Sequence, residues 1–233
     1  VLLGLQKTSL VDFPGRVSAV LFTVGCNFRC PYCQNPDLVV PPPGPPGDNG
    51  FITVDSALSF LKGRVGKLSG VAISGGEPTL HEDLPDLAES IRDLGFAVKM
   101  DTNGSFPERI SLVGAEYVAM DLKTHPARYP ELWPDAPPDA ADRIVRSMDA
   151  VRGSGSGYEF RITCTPGFIN AASIDVIASL LRPEDPVFLQ RYREGRVLDQ
   201  TWASGVSPYP EDVLDGFLAT IRKAVPAARL RGL

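Results

Sequence analysis

Short β-branched or apolar runs alternate with longer amphipathic stretches from residue 17 onward, and this alternation limits the available folds most. Val17–Val24 (VSAVLFTV) reads as a buried strand ending at Gly25. Further strands are expected at Gly70–Ser74, Phe96–Met100, Tyr117–Met120, Tyr158–Cys164 and Pro186–Gln190. Helices are expected from Thr53 to about Lys62, near Glu82–Leu94, and over Asp139–Val151, Ser173–Leu181 and Glu211–Ala224. Strands separated by helices pair in parallel through right-handed crossovers. The expected class is therefore α/β, a partial (β/α)6 barrel of parallel strands with its chemistry at the C-terminal strand ends. Leu38–Gly50, rich in Pro and Gly, and Trp133–Pro138 read as loops. Neither marks a boundary and no repeat is visible, so residues 1–233 are expected to form one domain.

Composition excludes several partners. Hydrophobic residues make up 43% and charged residues 22%, as in ordinary globular chains. A net charge of −5 argues against nucleic acid, which needs a basic footprint. The basic groups Arg191–Arg193–Arg196 and Arg222–Lys223–Arg229–Arg231 read as solvated surface. No apolar run reaches the roughly 18 residues of a membrane span, and the N-terminus lacks signal-peptide features. No membrane association and a cytoplasmic location are expected.

Three of the four cysteines, Cys26, Cys30 and Cys33, fall in the stretch GCNFRCPYCQN, at the C-terminal end of the first expected strand. A secreted disulfide framework would spread its cysteines, so this grouping favours a metal or redox site. Thiolates suit iron–sulfur clusters, zinc or copper(I). Structural zinc would want four protein ligands, and neither His81 nor His125 is near the loop in sequence. Three ligands on a [4Fe–4S] cube leave one iron open to a chelating amine and carboxylate, such as the methionine part of S-adenosylmethionine (SAM). A zinc loop or an electron-transfer cluster are the alternatives. Cys164, alone downstream, reads as core.

Other chemistry-bearing groups also sit at expected strand ends. Ser74-Gly75-Gly76-Glu77-Pro78 follows the second strand, where two glycines allow close backbone approach to a ligand. Asp101-Thr102-Asn103-Gly104 follows the third and Asp121-Leu122-Lys123 the fourth. Carboxylates at neighbouring strand ends repel unless a cation or a lysine compensates. Capping by Asp101 or Thr102 and a surface Asp121–Lys123 pair are the plainer alternatives. Arg161, in an otherwise apolar strand, needs an anionic partner if buried, in a site or at a barrel-rim salt bridge.

The CxxxCxxC spacing with Tyr32 inside it, followed by SGGEP, resembles the radical SAM superfamily. DTNG and DLK resemble the motifs of pyruvate formate-lyase-activating enzyme and its relatives. The opening LQKTSLVDFPGR, with CNFRCPYCQNPDLV, looks like anaerobic ribonucleoside-triphosphate reductase-activating proteins. The resemblance implies a [4Fe–4S] cluster on Cys26, Cys30 and Cys33, with Ser74, Gly75, Gly76 and Glu77 at the SAM amino group. It further implies that Tyr32, Asn103, Lys123 and Arg161 lie near the cofactor, and that Asp101, Thr102 and Asp121 hold a monovalent cation. The implied reaction is reductive cleavage of SAM, with flavodoxin or ferredoxin as electron donor. The resulting 5′-deoxyadenosyl radical takes a glycine α-hydrogen from a partner glycyl radical enzyme, either anaerobic ribonucleotide reductase or pyruvate formate-lyase. A radical SAM enzyme acting on a small molecule, such as a deazapurine synthase, is the other reading. Only Cys164 lies outside the loop, so a second four-cysteine cluster is not expected.

Overall fold

The structure is a computed structural model and describes residues 1–155 and 157–232. Its nine strands are β1 (Leu2–Ser9), β2 (Ser18–Thr23), β3 (Ile52–Thr53), β4 (Gly70–Gly75), β5 (Ala97–Thr102), β6 (Tyr117–Asp121), β7 (Gly157–Cys164), β8 (Val187–Arg191) and β9 (Arg229–Arg231). They form one sheet in the order β3-β1-β2-β4-β5-β6-β7-β8-β9, parallel from β2 onward, with β1 antiparallel to both its neighbours. The crossovers carry α1 (Pro36–Val39), α2 (Val54–Lys62), α3 (Leu84–Asp93), α4 (Pro107–Ile110), α5 (Ala140–Gly153), α6 (Ala171–Leu180), α7 (Gln200–Ser204) and α8 (Glu211–Ala224). This is the expected α/β partial barrel, built on a mostly parallel sheet.

Two details differ from expectation. The strand feeding the cysteine loop is second in the chain, because β1 precedes it and pairs Leu3 with Thr23 and Leu5 with Leu21. Short β3 and β9 extend the two edges.

Strand periodicity divides the sheet into two unlike faces. Ile73, Met100, Val118, Met120, Phe160, Ile162 and Leu189 share one face and are fully or almost fully buried. They join Ala88 and Ile91 of α3, Ile144 and Met148 of α5, Ile177 of α6 and Ile221 of α8 in the core. Each such side chain contributes roughly 1.5–3 kcal/mol by leaving water. The alternate positions, Lys99, Asp101, Tyr117, Asp121, Glu159 and Arg161, put a charged layer on the opposite face. Side-chain caps fix helix starts at the expected residue types: Thr53 accepts from the Ser56 amide, Asn170 from Ser173 and Asp199 from Trp202. Among the described residues, no helix is long and apolar enough to cross a membrane.

Candidate active site

A cavity of about 430 Å³ opens at the C-terminal ends of β4 to β8, beside the loop that follows β2. Its construction begins with the glycines. Gly75 has φ +118°, and a Cβ there would lie 2.3 Å from the Thr23 amide nitrogen. A Cβ on Gly76 would lie 1.9 Å from the Gly25 carbonyl oxygen. No side chain fits either position, so the loop after β4 lies directly against the start of the cysteine loop. The Gly76 amide donates to Thr23 O (2.8 Å) and the Glu77 amide to Gly25 O (2.9 Å). The glycine pair therefore docks one loop onto another, as well as presenting backbone to the cavity.

The cysteine loop is seated on aromatic rings. Phe28 packs edge-on to Tyr129 (centroids 5.8 Å apart) and against Trp133 (5.4 Å). Tyr32 sits between Phe168 and Trp202, with its hydroxyl beside the Cys30 thiol. Backbone bonds from Leu198 to Cys33 O and from Asp199 to Pro31 O close the loop from the far side. All three thiols line the cavity. Burial pushes the Cys26 thiol up to about 12 and Cys30 up to about 11, the latter against the opposing pull of Lys123. His81 comes near Gly25 but does not line the cavity, so it offers no fourth ligand there. Among the described residues no group of three or more His, Cys, Asp or Glu is gathered closely enough to hold a metal ion; three thiols sharing one cavity wall, without a fourth Cys or His there, suit a larger cluster with one open iron better than a closed zinc site. Asn27 adds a buried amide nitrogen in this loop that has no partner among the described residues, a donor suited to an acceptor such as a cluster sulfur.

Glu77 is fully buried and its carboxylate ties loops together. Oε1 accepts from the Thr79 amide (3.0 Å), the Thr79 hydroxyl and the Thr102 hydroxyl (2.8 Å), while Oε2 accepts from the Asn103 amide (2.6 Å). Burial raises its pKa, with those bonds opposing the rise. Asn103 in turn donates to Asn27 Oδ1 (3.1 Å), linking the loop after β5 to the cysteine loop.

The charged layer lies beneath. Asp101 pairs with Lys99 and with Arg161 Nη1 (3.2 Å), and it accepts from the Ser74 hydroxyl (3.1 Å). Asp121 pairs with Arg161 Nε (2.7 Å) and Lys123 Nζ (2.9 Å). Burial alone would raise Asp121, but Arg161 and Lys123 beside it hold its carboxyl well below the usual range. Burial would likewise lower Lys123 and Arg161, and the neighbouring carboxylates push both upward instead. Asp121, Lys123 and Arg161 thus hold one another in their charged forms beside the cavity.

Cys26, Cys30, Cys33, Tyr32, Ser74, Gly75, Gly76, Glu77, Asp101, Thr102, Asn103, Asp121 and Lys123 all line the cavity. Arg161 does not; it lies behind the two aspartates and acts through them. Sequence reasoning missed Lys99, whose two-residue offset from Asp101 on a strand was the available signal. It also missed Thr163, Gln190 and Tyr192 on the far wall. Arg191, Arg193 and Arg231, expected to be solvated surface, line the cavity too, and Arg231 donates two hydrogen bonds to the buried Glu159 carboxylate (3.1 and 3.0 Å). Cys164 is fully buried on the core face.

The model of the Radical SAM superfamily matches residues 20–177, which span the cysteine loop, both glycines, both aspartates and Arg161. The chain belongs to the radical SAM superfamily. Among its curated relatives is a Methanocaldococcus jannaschii protein named "Putative glycyl-radical enzyme activating enzyme", 29% identical over 84% of this chain and 82% of that protein. A 7-carboxy-7-deazaguanine synthase from Methanopyrus kandleri is also 29% identical, over 65% of this chain and 64% of that enzyme. Among solved structures, a radical SAM methyltransferase from Sphaerobacter thermophilus is similar in fold, with a TM-score of 0.66 at 16% identity, covering 94% of this chain and 67% of that chain. Membership of this superfamily implies a [4Fe–4S] cluster and SAM.

Proposed function

We propose that this radical SAM enzyme is a glycyl radical enzyme activase whose partner is anaerobic ribonucleoside-triphosphate reductase. The observation that carries the activase reading is the relative so named, matched across most of both chains, whereas the deazaguanine synthase matches a smaller share at the same identity. The choice of reductase rests on the opening LQKTSLVDFPGR and CNFRCPYCQNPDLV. The site supports a substrate arriving from outside. A cavity of about 430 Å³ is near the small end of ligand pockets, roughly 300–1,000 Å³, which suits SAM with a protein segment as the second substrate.

Cys26, Cys30 and Cys33 would hold a [4Fe–4S] cluster, which would supply the one electron needed to split the C5′–S bond of SAM into methionine and a 5′-deoxyadenosyl radical able to take a glycine α-hydrogen. The chain's own residues orient and shield. Ser74, Gly75 and Gly76 present polar groups for the SAM ammonium. Lys123 faces its carboxylate, with Arg161 fixing Asp121 and Asp101 behind. Tyr32 orients the Cys30 thiol, and Glu77 with Asn103 holds the loops in register. The aromatic seat beneath the cysteine loop keeps water from the reacting centre, where a primary radical would otherwise be quenched. Flavodoxin or ferredoxin would deliver the electron, and the cytoplasm is the compartment proposed.

The test is anaerobic incubation of the cluster-loaded, reduced protein with SAM and candidate partners. A glycyl doublet by electron paramagnetic resonance is expected on the reductase, with 5′-deoxyadenosine formed alongside. A doublet on pyruvate formate-lyase alone would reassign the partner. Turnover of a deazapurine precursor in step with 5′-deoxyadenosine, without any partner protein, would overturn the activase reading.

A further inference from the structure

The monovalent cation expected at Asp101, Thr102 and Asp121 does not fit the side chains found there. Every carboxylate oxygen of the two aspartates already meets a cationic N–H donor. Asp101 Oδ1 takes Lys99 Nζ and Oδ2 takes Arg161 Nη1 (3.2 Å); Asp121 Oδ1 takes Arg161 Nε (2.7 Å) and Oδ2 takes Lys123 Nζ (2.9 Å). The Thr102 hydroxyl is engaged in both directions, donating to Glu77 Oε1 (2.8 Å) and accepting from the Gly104 amide (3.1 Å). A sodium or potassium ion needs several oxygens turned toward it with lone pairs available, and these face N–H donors. Charge points the same way: Lys99, Arg161, Lys123 and Arg231 already meet Asp101, Asp121 and Glu159 in this layer, so its carboxylates are answered without a metal ion.

We propose that this chain binds SAM without a metal cation, because Lys99, Arg161 and Lys123 together supply the positive charge, with Lys99 as the residue that completes the set. Lys99 is 2% exposed, in the middle of β5, two residues before Asp101 and on the same face. A lysine so buried is costly without an anion, and its anion is Asp101. It does not line the cavity, so it is a positioning residue, acting through Asp101. Lys123, the member of the set that lines the cavity, is placed to meet the SAM carboxylate. The inference rests on SAM occupying this cavity and is independent of the molecule that receives the radical.

The test is calorimetric titration of SAM into the anaerobic, cluster-loaded protein, first in tetramethylammonium chloride and then in sodium or potassium chloride at equal ionic strength. The expected Kd values agree within threefold, and sodium-23 line widths at saturating SAM show no saturable broadening. Tightening of threefold or more by either ion, or saturable broadening, overturns the proposal. Lys99→Met is expected to weaken SAM binding at least tenfold in tetramethylammonium, with sodium or potassium restoring at least fivefold. A folded Lys99→Met protein indifferent to these ions would also overturn it, since lost packing alone confers no ion dependence either way. If that variant does not fold, the wild-type titration and line widths decide. Absence of a glycyl doublet on any partner would leave these titrations unaffected, whereas no SAM binding in either salt would overturn both readings.

Discussion

Each end of the parallel sheet holds buried carboxylates beside an arginine, but the two ends use them differently. At the N-terminal end, Asp185, just before β8, accepts from Arg152 Nε (3.0 Å) and Nη2 (2.7 Å), from the Tyr158 hydroxyl (2.9 Å) and from the Arg182 amide (2.8 Å). Its side chain is 0% exposed and its anion is answered wholly from within the fold. At the C-terminal end, Asp101 and Asp121 share Arg161 and take Lys99 and Lys123 besides, and a cavity opens above them. A closed pair holds structure together. An open one leaves charged groups such as Lys123 within reach of a ligand. The difference follows the general division of α/β barrels, with chemistry at the C-terminal strand ends and stability at the other.

The largest effect expected at the cavity end is from Cys30→Ala. Two thiolates retain a four-iron cube poorly, so cluster content and SAM cleavage should fall together, by more than a hundredfold for 5′-deoxyadenosine formed under dithionite. Stability of the metal-free chain should change by only about 1 kcal/mol, since few atoms are removed. Iron analysis and a product assay on the same preparation check this, and retained turnover would break the assignment of that end.

At the opposite end the pattern should invert. Asp185→Ala leaves the Arg152 guanidinium, itself only 9% exposed, without its main partner, and breaking such a pair typically costs about 3–5 kcal/mol. Urea unfolding should report that loss, while SAM affinity of the folded fraction stays within twofold. Acid should reproduce part of it. Burial alone would raise Asp185, but Arg152, the Arg182 amide and Tyr158 outweigh it and hold the carboxyl below its ordinary range. A depressed folded pKa means the stabilisation is complete above the ordinary aspartate value, about 3.9, and is lost as pH falls through the folded value. Asp185→Asn should flatten stability against pH in that acid window. An unchanged slope would show that the closed pair is not what acid disrupts.

The same contrast explains what was readable from the chain. The core-facing strands announce themselves because Ile73 and Met120 sit in continuous apolar runs while Met100 and Ile162 alternate with charged residues, and the cysteine loop because its ligands are local in sequence. Strand β1 was hidden because only Leu3 and Ser9 in LLGLQKTS are buried, which leaves no alternation to detect. Lys99 escaped notice, since periodicity places it on the alternate face but cannot say that this face is enclosed by a curved sheet. Arg191, Arg193 and Arg231 were invisible as cavity residues because β8, β9 and the cysteine loop meet only through the tertiary fold. The glycine pair was found for a partial reason: sequence suggests a ligand approach, whereas the closest atom to a Gly76 Cβ is the Gly25 carbonyl oxygen.

The smallest expected effect probes whether the two ends are mechanically separate. Gly70 begins β4 at the N-terminal end, and a Cβ there would lie 2.8 Å from Phe13 Cδ1 and 3.2 Å from Arg16 Cδ. Phe13 is almost fully buried, so its ring must shift, and overpacking of this kind costs about 1–3 kcal/mol. Gly70→Ala should therefore lower the melting temperature by several degrees and leave SAM affinity within twofold, because the shift is absorbed by Phe13 and Arg16 and not by the loop after β4. Calorimetric melting with SAM titration on one preparation measures both. Should SAM binding weaken tenfold with the modest melting change, strain at the first residue of β4 would be reaching Ser74 and Gly75 along the same strand, and the division between a structural end and a chemical end would not hold.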